Sequence, residues 1–516
     1  MAVDGIKIIR KYSPKRKNGP RIEDPYFWDI KKNNQSKSNG KFKFPKLSLP
    51  KISFPRVFFI KSYGSISEIR KFLFGKRTII SVIGVLVIFA IMSVSASSYN
   101  IINQNYNFVK LFKSGNYLIL FQNNTEMRAT GGFLGSFAVV QTNNGLIKDT
   151  YFETNIYKRD NPFIKEHSVQ APDPVLGAFE KDGKWVMRDS NWAIDFPTAA
   201  QQIDWFYKNE ITTDSQRASL EGLGSGKEQI DGVVAVNATV MTDILKIIGP
   251  INLAKYNTTI SSDNFISTIQ YQVEAGYFTD SEDKTANIQI NEPKTILKDM
   301  LPIVIERVKS AKYSRKVLDL LHKELLEKQV LFYFYDGNKE QIALNNGWAG
   351  EVKQMESDYL YVNNSNLGSN KSSLNTLESL DLNSSTENGV ITNTLTITRT
   401  HTGSNIPPDG LNRNYVRVLV PYGAKLVTAD ADRVGFLKDV ITTKEAGKTE
   451  FGFWINTYPQ SSHIIKISYE LPDSIDANNH TIYLQKQPGN LGDDLKVIVN
   501  GELKFNGVFN QDKEIK

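Results

Sequence analysis

The sequence predicts a mixed α/β protein with one N-terminal transmembrane helix, then an α/β domain, then a C-terminal β-sandwich-like domain. Three observations predict this order. An uncharged apolar segment occupies residues 78–98. Strand patterns and helical patterns alternate between residues 117 and 335, which is typical of an α/β domain. Seven short strands with alternating polarity then recur between residues 389 and 499, as in a sandwich.

The segment 78–98 reads TIISVIGVLVIFAIMSVSASS and is long enough to cross a bilayer, because about 20 helical residues span the hydrocarbon layer. Lys and Arg flank only its N-terminal side, and Lys110 is the first cation after it. The positive-inside bias therefore predicts a cytoplasmic N-terminus and an extracytoplasmic C-terminal part. A cleaved signal peptide is not predicted, since 77 residues precede the segment.

Residues 1–77 are predicted to form a basic, disordered cytoplasmic tail. They carry 20 Lys or Arg against five Asp or Glu, so the positive net charge of the chain belongs to this tail. Basic and apolar residues alternate around Pro45, Pro50 and Pro55, a composition that suits the surface of an anionic leaflet. No nucleic-acid partner is predicted, because a basic arm beside a membrane helix is the ordinary case.

The composition also excludes several kinds of site. Cysteine is absent, which removes disulfides, thiolate nucleophiles and cysteine-ligated metals. The five histidines have no metal or triad spacing, so serine-triad and zinc hydrolases are not predicted. The glycine-rich stretch 222–227 lacks the spacing of a phosphate-binding loop and is interpreted as a linker.

The predicted domain boundaries follow these patterns. The α/β domain is expected at residues 113–350 and the β-sandwich-like domain at 386–510, with a Ser/Asn-rich linker at 351–385 between them. Within the α/β domain, Asn143, Asn144 and Gly145 are the signal of a type I′ hairpin.

The first candidate site is a polar loop between two buried strands. It contains Glu126 and Arg128, followed by Gly131 and Gly132, which allow a backbone to approach a ligand closely. The alternative is a tight turn capped by a surface ion pair, and the spacing alone leaves both interpretations open.

The second candidate site is a loop with a dense set of functional side chains: Arg188, Asp189, Asn191, Trp192 and Asp195. Asp195 precedes a predicted helix, so it either stabilises the helix N-terminus or contacts a ligand. The tryptophan either stacks on a sugar ring or fills the core.

These residues carry a resemblance to a known family. The runs LILFQNNTEMRATGGFLGS at 118–136 and RDSNW at 188–192 resemble the bacterial membrane proteins grouped as domain of unknown function 4012. The sequences IDGV at 230–233 and IGP at 248–250 fit that family too. The run LQKQPG at 484–489 is similar to the β-rich segment found after this domain in the same proteins.

More distantly, the order of elements is similar to the LytR-CpsA-Psr enzymes, which transfer glycopolymers from polyprenyl-pyrophosphate carriers to the cell wall. That resemblance implies an α/β/α domain and a pyrophosphate site with Mg²⁺. Arg159, beside Asp160, stands where those enzymes carry an Arg-Asp pair. By this comparison Arg128, Arg159 and Arg188 are expected to bind phosphate, and Asp189 or Asp195 to hold metal or act as base. Glu126 is expected to orient Arg128.

Two functional hypotheses are consistent with these patterns. The first is a magnesium-dependent phosphotransferase that moves a glycopolymer from its polyprenyl-pyrophosphate carrier, with Asn191, Trp192 and the glycine pair binding substrate. The second is a non-catalytic envelope protein that binds a glycan, a lipid-linked precursor or a protein partner. Both hypotheses place the chain in the cell membrane as a single-pass protein.

Overall fold

The computed structural model describes residues 110–153, 155–179, 184–210, 229–270, 295–310, 312–431 and 436–516. The predicted tail (1–77) and membrane helix (78–98) lie outside these residues. Among the helices that are described, none has the length and apolar character to cross a membrane. The described part is a mixed α/β structure with several sheets, which confirms the predicted fold class at this level.

The first part of the chain alternates strands and helices. Its strands are β1 (Gly115–Asn123), β2 (Phe133–Asn143), β3 (Leu146–Glu153), β4 (Gly232–Asn237), β5 (Ile251–Leu253), β6 (Thr258–Ile260) and β7 (Val330–Phe334). Its helices are α1 (Tyr157–Glu166), α2 (Asp173–Phe179), α3 (Phe196–Asn209), α4 (Thr239–Ile248), α5 (Phe265–Gln270), α6 (Thr295–Lys309), α7 (Ser314–Leu326) and α8 (Gly337–Asn345).

Five of these strands form one sheet in the order β3-β2-β1-β4-β7. Strands β1 and β4 are parallel, and the other neighbours are antiparallel. On one face, Ile119 and Val234 pack in a core that includes Met241 of α4 and Leu321 of α7. Helices cover both faces, which is why β1 is apolar at successive positions instead of alternating.

The opposite face of the sheet packs against α3. The ring of Phe137 in β2 meets the ring of Tyr207 in α3 edge-on, with centroids 5.6 Å apart. The predicted β2–β3 hairpin is present, and Asn144 and Gly145 both have positive φ, at 50° and 75°. Positive φ at both central positions is the geometry of a type I′ turn, which Asn-Gly adopts readily.

The second part of the described chain is a β-sandwich. Its strands are β8 (Asp358–Asn366), β9 (Thr376–Glu387), β10 (Val390–His401), β11 (Asn412–Val420), β12 (Lys425–Ala431), β13 (Ile441–Glu445), β14 (Lys448–Thr457), β15 (Ser461–Glu470), β16 (Ile482–Gln485), β17 (Asp493–Val499), β18 (Glu502–Phe509) and β19 (Lys513–Ile515).

These strands form two six-stranded sheets, ordered β12-β15-β10-β9-β17-β18 and β13-β14-β11-β8-β16-β19. Their inner faces share one core, in which Leu395 and Ile465 from the first sheet meet Val418 and Phe451 from the second. Buried residues alternate with more exposed ones along β10 and β15. The matching alternation of apolar and polar residues in the sequence predicted this architecture.

The structure contradicts the predicted linker at 351–385. Strand β8 and most of β9 lie inside this range, and every residue of β8 is buried. The asparagines that suggested a linker make buried hydrogen bonds instead. The Asn363 amide, for example, donates to the Ala129 carbonyl at 3.0 Å and to the Tyr361 hydroxyl at 2.9 Å.

The outer face of the second sheet packs on the α/β part. Tyr359 and Tyr361 of β8 share a small core with Ala129 and Ile194, which belong to the two candidate loops. Both loops therefore lie between the α/β sheet and the sandwich.

Candidate functional site

Arg128 lies at the centre of the first candidate loop and is buried, with 3% of its surface exposed. Its Nη2 lies 2.8 Å from Glu126 Oε1 and 3.9 Å from Asp189 Oδ1. Its Nη1 donates to the carbonyl of Met127 at 3.2 Å and also to the carbonyl of Asn366 in β8. Arg128 thus joins both candidate loops to the sandwich.

Glu126 is held by two cations. Its second oxygen, Oε2, lies 3.0 Å from the Lys371 ammonium, so the carboxylate is paired on both sides. Burial alone would raise the pKa of Glu126, but Arg128 and Lys371 outweigh it and hold the pKa below its usual value. Glu126 is therefore ionised at neutral pH.

The second loop continues the same alternation of charges. Arg188 Nη1 lies 2.8 Å from Asp160 Oδ2, and its Nε lies 3.3 Å from Asp189 Oδ2. Its guanidinium stacks on the ring of Tyr157 at 4.8 Å. Burial raises the pKa of Asp189, against the opposing effects of Arg188 and Arg128. We call Glu126, Arg128, Asp189, Arg188 and Asp160 the charged network.

A carboxyl pair closes the network in the interior. Asp160 and Glu210 are both fully buried, and neither Asp160 Oδ1 nor Glu210 Oε2 has a hydrogen-bond donor in the described structure. Burial raises the pKa of Asp160 to about 6. Burial and the neighbouring Asp160 charge raise the pKa of Glu210 to about 10, so Glu210 holds a proton at neutral pH.

Arg159 lies apart from any surface. It is fully buried, and its guanidinium lies among the rings of Phe137, Tyr151 and Tyr207 at 4.9, 6.0 and 5.1 Å. It also donates to the Tyr207 carbonyl at 3.2 Å. Arg159 therefore lies between helix α3 and strands β2 and β3 of the α/β sheet.

The remaining residues of the two loops contact protein. Asn191 donates to the carbonyl of Gly132 at 2.9 Å. A Cβ at Gly132 would lie 2.3 Å from the Asn123 carbonyl carbon, so this glycine permits a close approach of two chain segments. Gly131 has a φ of +136° and packs against the Asn237 amide. These contacts are those of a tight turn, but the Glu126–Arg128 pair is buried and does not lie at the surface as the tight-turn alternative expected.

Trp192 packs between the two parts of the molecule. The guanidinium of Arg417 lies 4.1 Å above its ring, and the ring of Tyr415 lies 5.9 Å away. The Trp192 carbonyl also accepts from Arg417 at 2.9 Å. Its indole is 4% exposed, which leaves little surface for stacking on a sugar.

Asp195 caps helix α3. Its Oδ2 accepts from the Thr198 backbone N–H at 3.2 Å and the Thr198 hydroxyl at 2.7 Å, and its Oδ1 accepts from the Val352 N–H at 3.0 Å. Asp189 is meanwhile engaged by two arginines. The two carboxylates therefore do not fit one shared Mg²⁺ ion in this arrangement. No cluster of three or more potential ligands is found within the described ranges.

The two loops belong to a segment that matches a known family. Residues 114–273 match the model of a family described as protein of unknown function (DUF4012). This match supports the resemblance of residues 114–273 to the DUF4012 family. The matched segment contains both candidate loops and all of the charged network.

No curated protein matches the chain. Among solved structures, a candidate nutrient-binding protein from Legionella pneumophila is similar over 24% of this chain and 50% of its own length, with 12% identity and a TM-score of 0.18. A mutant M1 zinc metallopeptidase from Deinococcus radiodurans, bound to a Tyr-Ser-Ala substrate, is similar over 24% and 31%, with 15% identity and a TM-score of 0.16. This chain thus spans about half of the first protein and a third of the second.

The two candidate loops meet the LQKQPG segment of the sandwich. Gln487 donates to the Arg128 carbonyl at 3.1 Å and the Asn364 carbonyl at 2.8 Å. Asn124 donates to the Gly489 carbonyl at 2.9 Å. The segments that carry the family resemblance are far apart in sequence and adjacent in the fold.

Sequence reasoning missed several partners of the charged network. Lys371 and Asn366 lie in the stretch interpreted as a linker. Glu210 and Arg417 had no motif around them. The signal that was present is the short alternation of apolar and polar residues at 380–383, which is a strand pattern.

Proposed function

We propose that this chain is a single-pass membrane protein of the cell envelope whose extracytoplasmic part binds a phosphate-bearing, lipid-linked glycan precursor without turning it over. The observation that carries the proposal is that the predicted catalytic groups are buried and paired with other groups of the protein. Arg128 pairs with both Glu126 and Asp189, and it also bonds to the sandwich backbone. Replacing such buried partners with a ligand is costly, because each charge must be left uncompensated during exchange.

The accessible end of the charged network offers a binding surface instead. Arg188 is 23% exposed, the largest exposed fraction among the five side chains of the network, and it lies on the half-exposed ring of Tyr157. Burial raises the pKa of Tyr157, and the nearby Arg188 and Lys371 cations oppose the shift. An arginine and a lysine around one tyrosine form a surface suited to a phosphate group, to which Arg188 Nη2 can donate while Nη1 and Nε stay on Asp160 and Asp189.

The predicted anchor supports the choice of ligand class. By the positive-inside bias, the apolar segment 78–98 and its one-sided basic flank predict that the folded part is extracytoplasmic. A lipid-linked glycan presents its phosphates at the surface of the same membrane, and the anchor confines the Arg188 surface to that region.

The proposal is tested with the full-length chain in lipid nanodiscs and a labelled polyprenyl-pyrophosphate glycan. We expect retention of the label with the carrier intact, with or without Mg²⁺. The Arg188→Gln variant should bind about tenfold more weakly or worse, since a charge-assisted hydrogen bond is lost. Arg413→Gln is the matched control, because Arg413 also stacks on an aromatic ring, 4.6 Å from Trp454. Equal loss in both variants would overturn the assignment of Arg188.

A LytR-CpsA-Psr-like transferase is the second candidate. The observation that favours it is that Arg128 and Arg188 flank the same carboxylate, Asp189. Two arginines on one anion resemble a diphosphate clamp with a carboxylate in the ligand's position. Release of the carrier in the nanodisc assay, dependent on Mg²⁺, would favour this candidate. Unchanged glycopolymer attachment in cells that carry Arg128→Ala would count against it.

A further inference from the structure

The tip of the β2–β3 hairpin lies beside the point where the described chain begins. The Gly145 N–H donates to the Lys113 carbonyl at 2.7 Å, and the Asn144 N–H donates to the Ser114 hydroxyl at 3.2 Å. We call Lys110, Lys113, Leu146 and Lys148 the hairpin tip surface. The tip is therefore fixed to the segment that immediately precedes β1.

The hairpin tip surface combines one apolar residue with exposed cations. Leu146 is 70% exposed, close to the largest exposure among the large hydrophobic residues described. All three lysines of the surface are exposed. The carboxylate of Asp149 in the same strand accepts from the Thr150 N–H at 2.8 Å. An exposed leucine among lysines suits the boundary between lipid headgroups and acyl chains.

The chain length between this surface and the predicted anchor is short. Lys110 follows Ser98, the last residue of the apolar segment, by twelve residues, and residues 99–109 contain no charge. A fully extended chain of that length reaches roughly 40 Å. A tether this short gives a second contact with the same membrane a high effective concentration, so a weak contact is sufficient to be populated.

We propose that the hairpin tip surface rests on an anionic lipid leaflet, with Leu146 inserted at the headgroup level and the lysines on lipid phosphates. The inference rests on the membrane anchor in the proposed function and adds a second point of contact. Two points would restrict the orientation of the extracytoplasmic part relative to the membrane. They would do so without any contribution from the charged network.

The absence of cysteine allows a direct test. Leu146→Cys in the full-length chain gives a single attachment point for an environment-sensitive dye. Leu503→Cys is the matched control, because Leu503 is 54% exposed on β18, an edge strand of the sandwich. In vesicles that contain phosphatidylglycerol and a lipid-borne quencher, we expect strong quenching at position 146 and weak quenching at position 503.

The lysines are tested in the same labelled background. Adding Lys113→Glu and Lys148→Glu should weaken docking about tenfold or more, because each cation near an anionic surface contributes to binding. Equal quenching at positions 146 and 503 in a chain that floats with the vesicles would overturn the inference and leave the anchor intact. Failure to float after an alkaline wash would overturn the anchor and this inference together. Equal quenching in zwitterionic vesicles would overturn the role of the lysines.

Discussion

Arg128 contributes to stability through the charges that it neutralises. Removing it leaves Glu126 with Lys371 alone and takes one of two cations from Asp189, both in a buried setting. Breaking a buried ion pair from one side costs about 3–5 kcal/mol. We therefore predict that Arg128→Ala lowers the free energy of unfolding by about that amount, measured by denaturant titration of the full chain.

The matched control for this prediction is Arg413→Ala. Arg413 stacks on Trp454, donates to the Gly177 carbonyl at 3.3 Å and is partly exposed, so its loss should cost only about 1–2 kcal/mol. Similar costs for the two substitutions would mean that the charged network contributes little to the fold, and that Arg128 is available for a ligand.

Glu210 makes stability depend on pH. Its pKa is about 10 in the fold, through burial and the Asp160 charge, against an ordinary value of 4.5. The folded state thus keeps a proton that the unfolded chain loses. This contribution is fully present below pH 4.5 and is lost as pH rises through 10. Between pH 7 and 9 the loss of this contribution should lower the free energy of unfolding by up to about 1.4 kcal/mol per pH unit.

Glu210→Gln mimics the protonated acid and should remove that slope. We predict that the stability of this variant relative to the natural chain rises steadily from pH 7 to pH 9 in urea titrations. Glu306→Gln, at an exposed position on α6, is the control and should stay within about 0.5 kcal/mol. A constant difference between the Glu210 variant and the natural chain across this range would contradict the proton held by Glu210 in the fold.

Local spacing made part of the candidate site predictable. Glu126 and Arg128 are two residues apart in a turn, and Arg188 adjoins Asp189, so the sequence itself places these charges together. Lys371 lies 245 residues from Glu126 in sequence, and no local pattern can encode such a contact. The sequence therefore indicated which residues carry charge and left open which of them pair.

At the scale of elements, regular alternation was predictive and asparagine-rich sequence was misleading. The strands of the sandwich between 389 and 499 were predicted because apolar and polar residues alternate there. Strand β8 is buried on both faces, and its polar groups have partners across the interface with the α/β part. The Asn363 amide donates to the Ala129 carbonyl, and the Asn366 carbonyl accepts from Arg128. Such partners come from distant elements, so the strand was interpreted as a linker.

Glycine-to-alanine substitutions test the contact between the first candidate loop and the LQKQPG segment of the sandwich. A Cβ at Gly489 would lie 2.4 Å from the Cα of Gly131, whereas one at Gly501 would meet nothing within 4 Å. The φ values are +76° and +83°, so alanine is similarly strained at both positions. We predict a cost of about 1–2 kcal/mol for Gly501→Ala. For Gly489→Ala we predict about 1–3 kcal/mol more, from the added overlap with backbone.

Thermal or chemical unfolding of both variants measures this difference. The comparison isolates the packing of the LQKQPG segment on the first loop, because backbone strain is common to the two sites. Equal costs would mean that the first candidate loop and the LQKQPG segment move apart with little loss of free energy.

At the scale of the whole molecule, the α/β part and the sandwich are joined by buried polar contacts. Lys486 is fully buried and donates to the Glu327 carbonyl at 2.7 Å. Arg417 bonds to the Trp192 carbonyl, and Gln487 bonds to the Arg128 carbonyl. Separating the two parts would leave these groups without partners, and each such group costs about 1–3 kcal/mol. We expect the two parts to unfold together.

Two isoleucine substitutions test this coupling through hydrogen exchange. Ile119 lies in the core of the α/β sheet and Ile465 in the core of the sandwich, and both are fully buried. Ile119→Ala and Ile465→Ala should each cost about 2–5 kcal/mol. If unfolding is joint, either substitution lowers the protection of the slowest-exchanging amides in both β4 and β14 by the same free energy. A loss confined to the substituted part would show that the interface opens first, and that each part keeps its own stability.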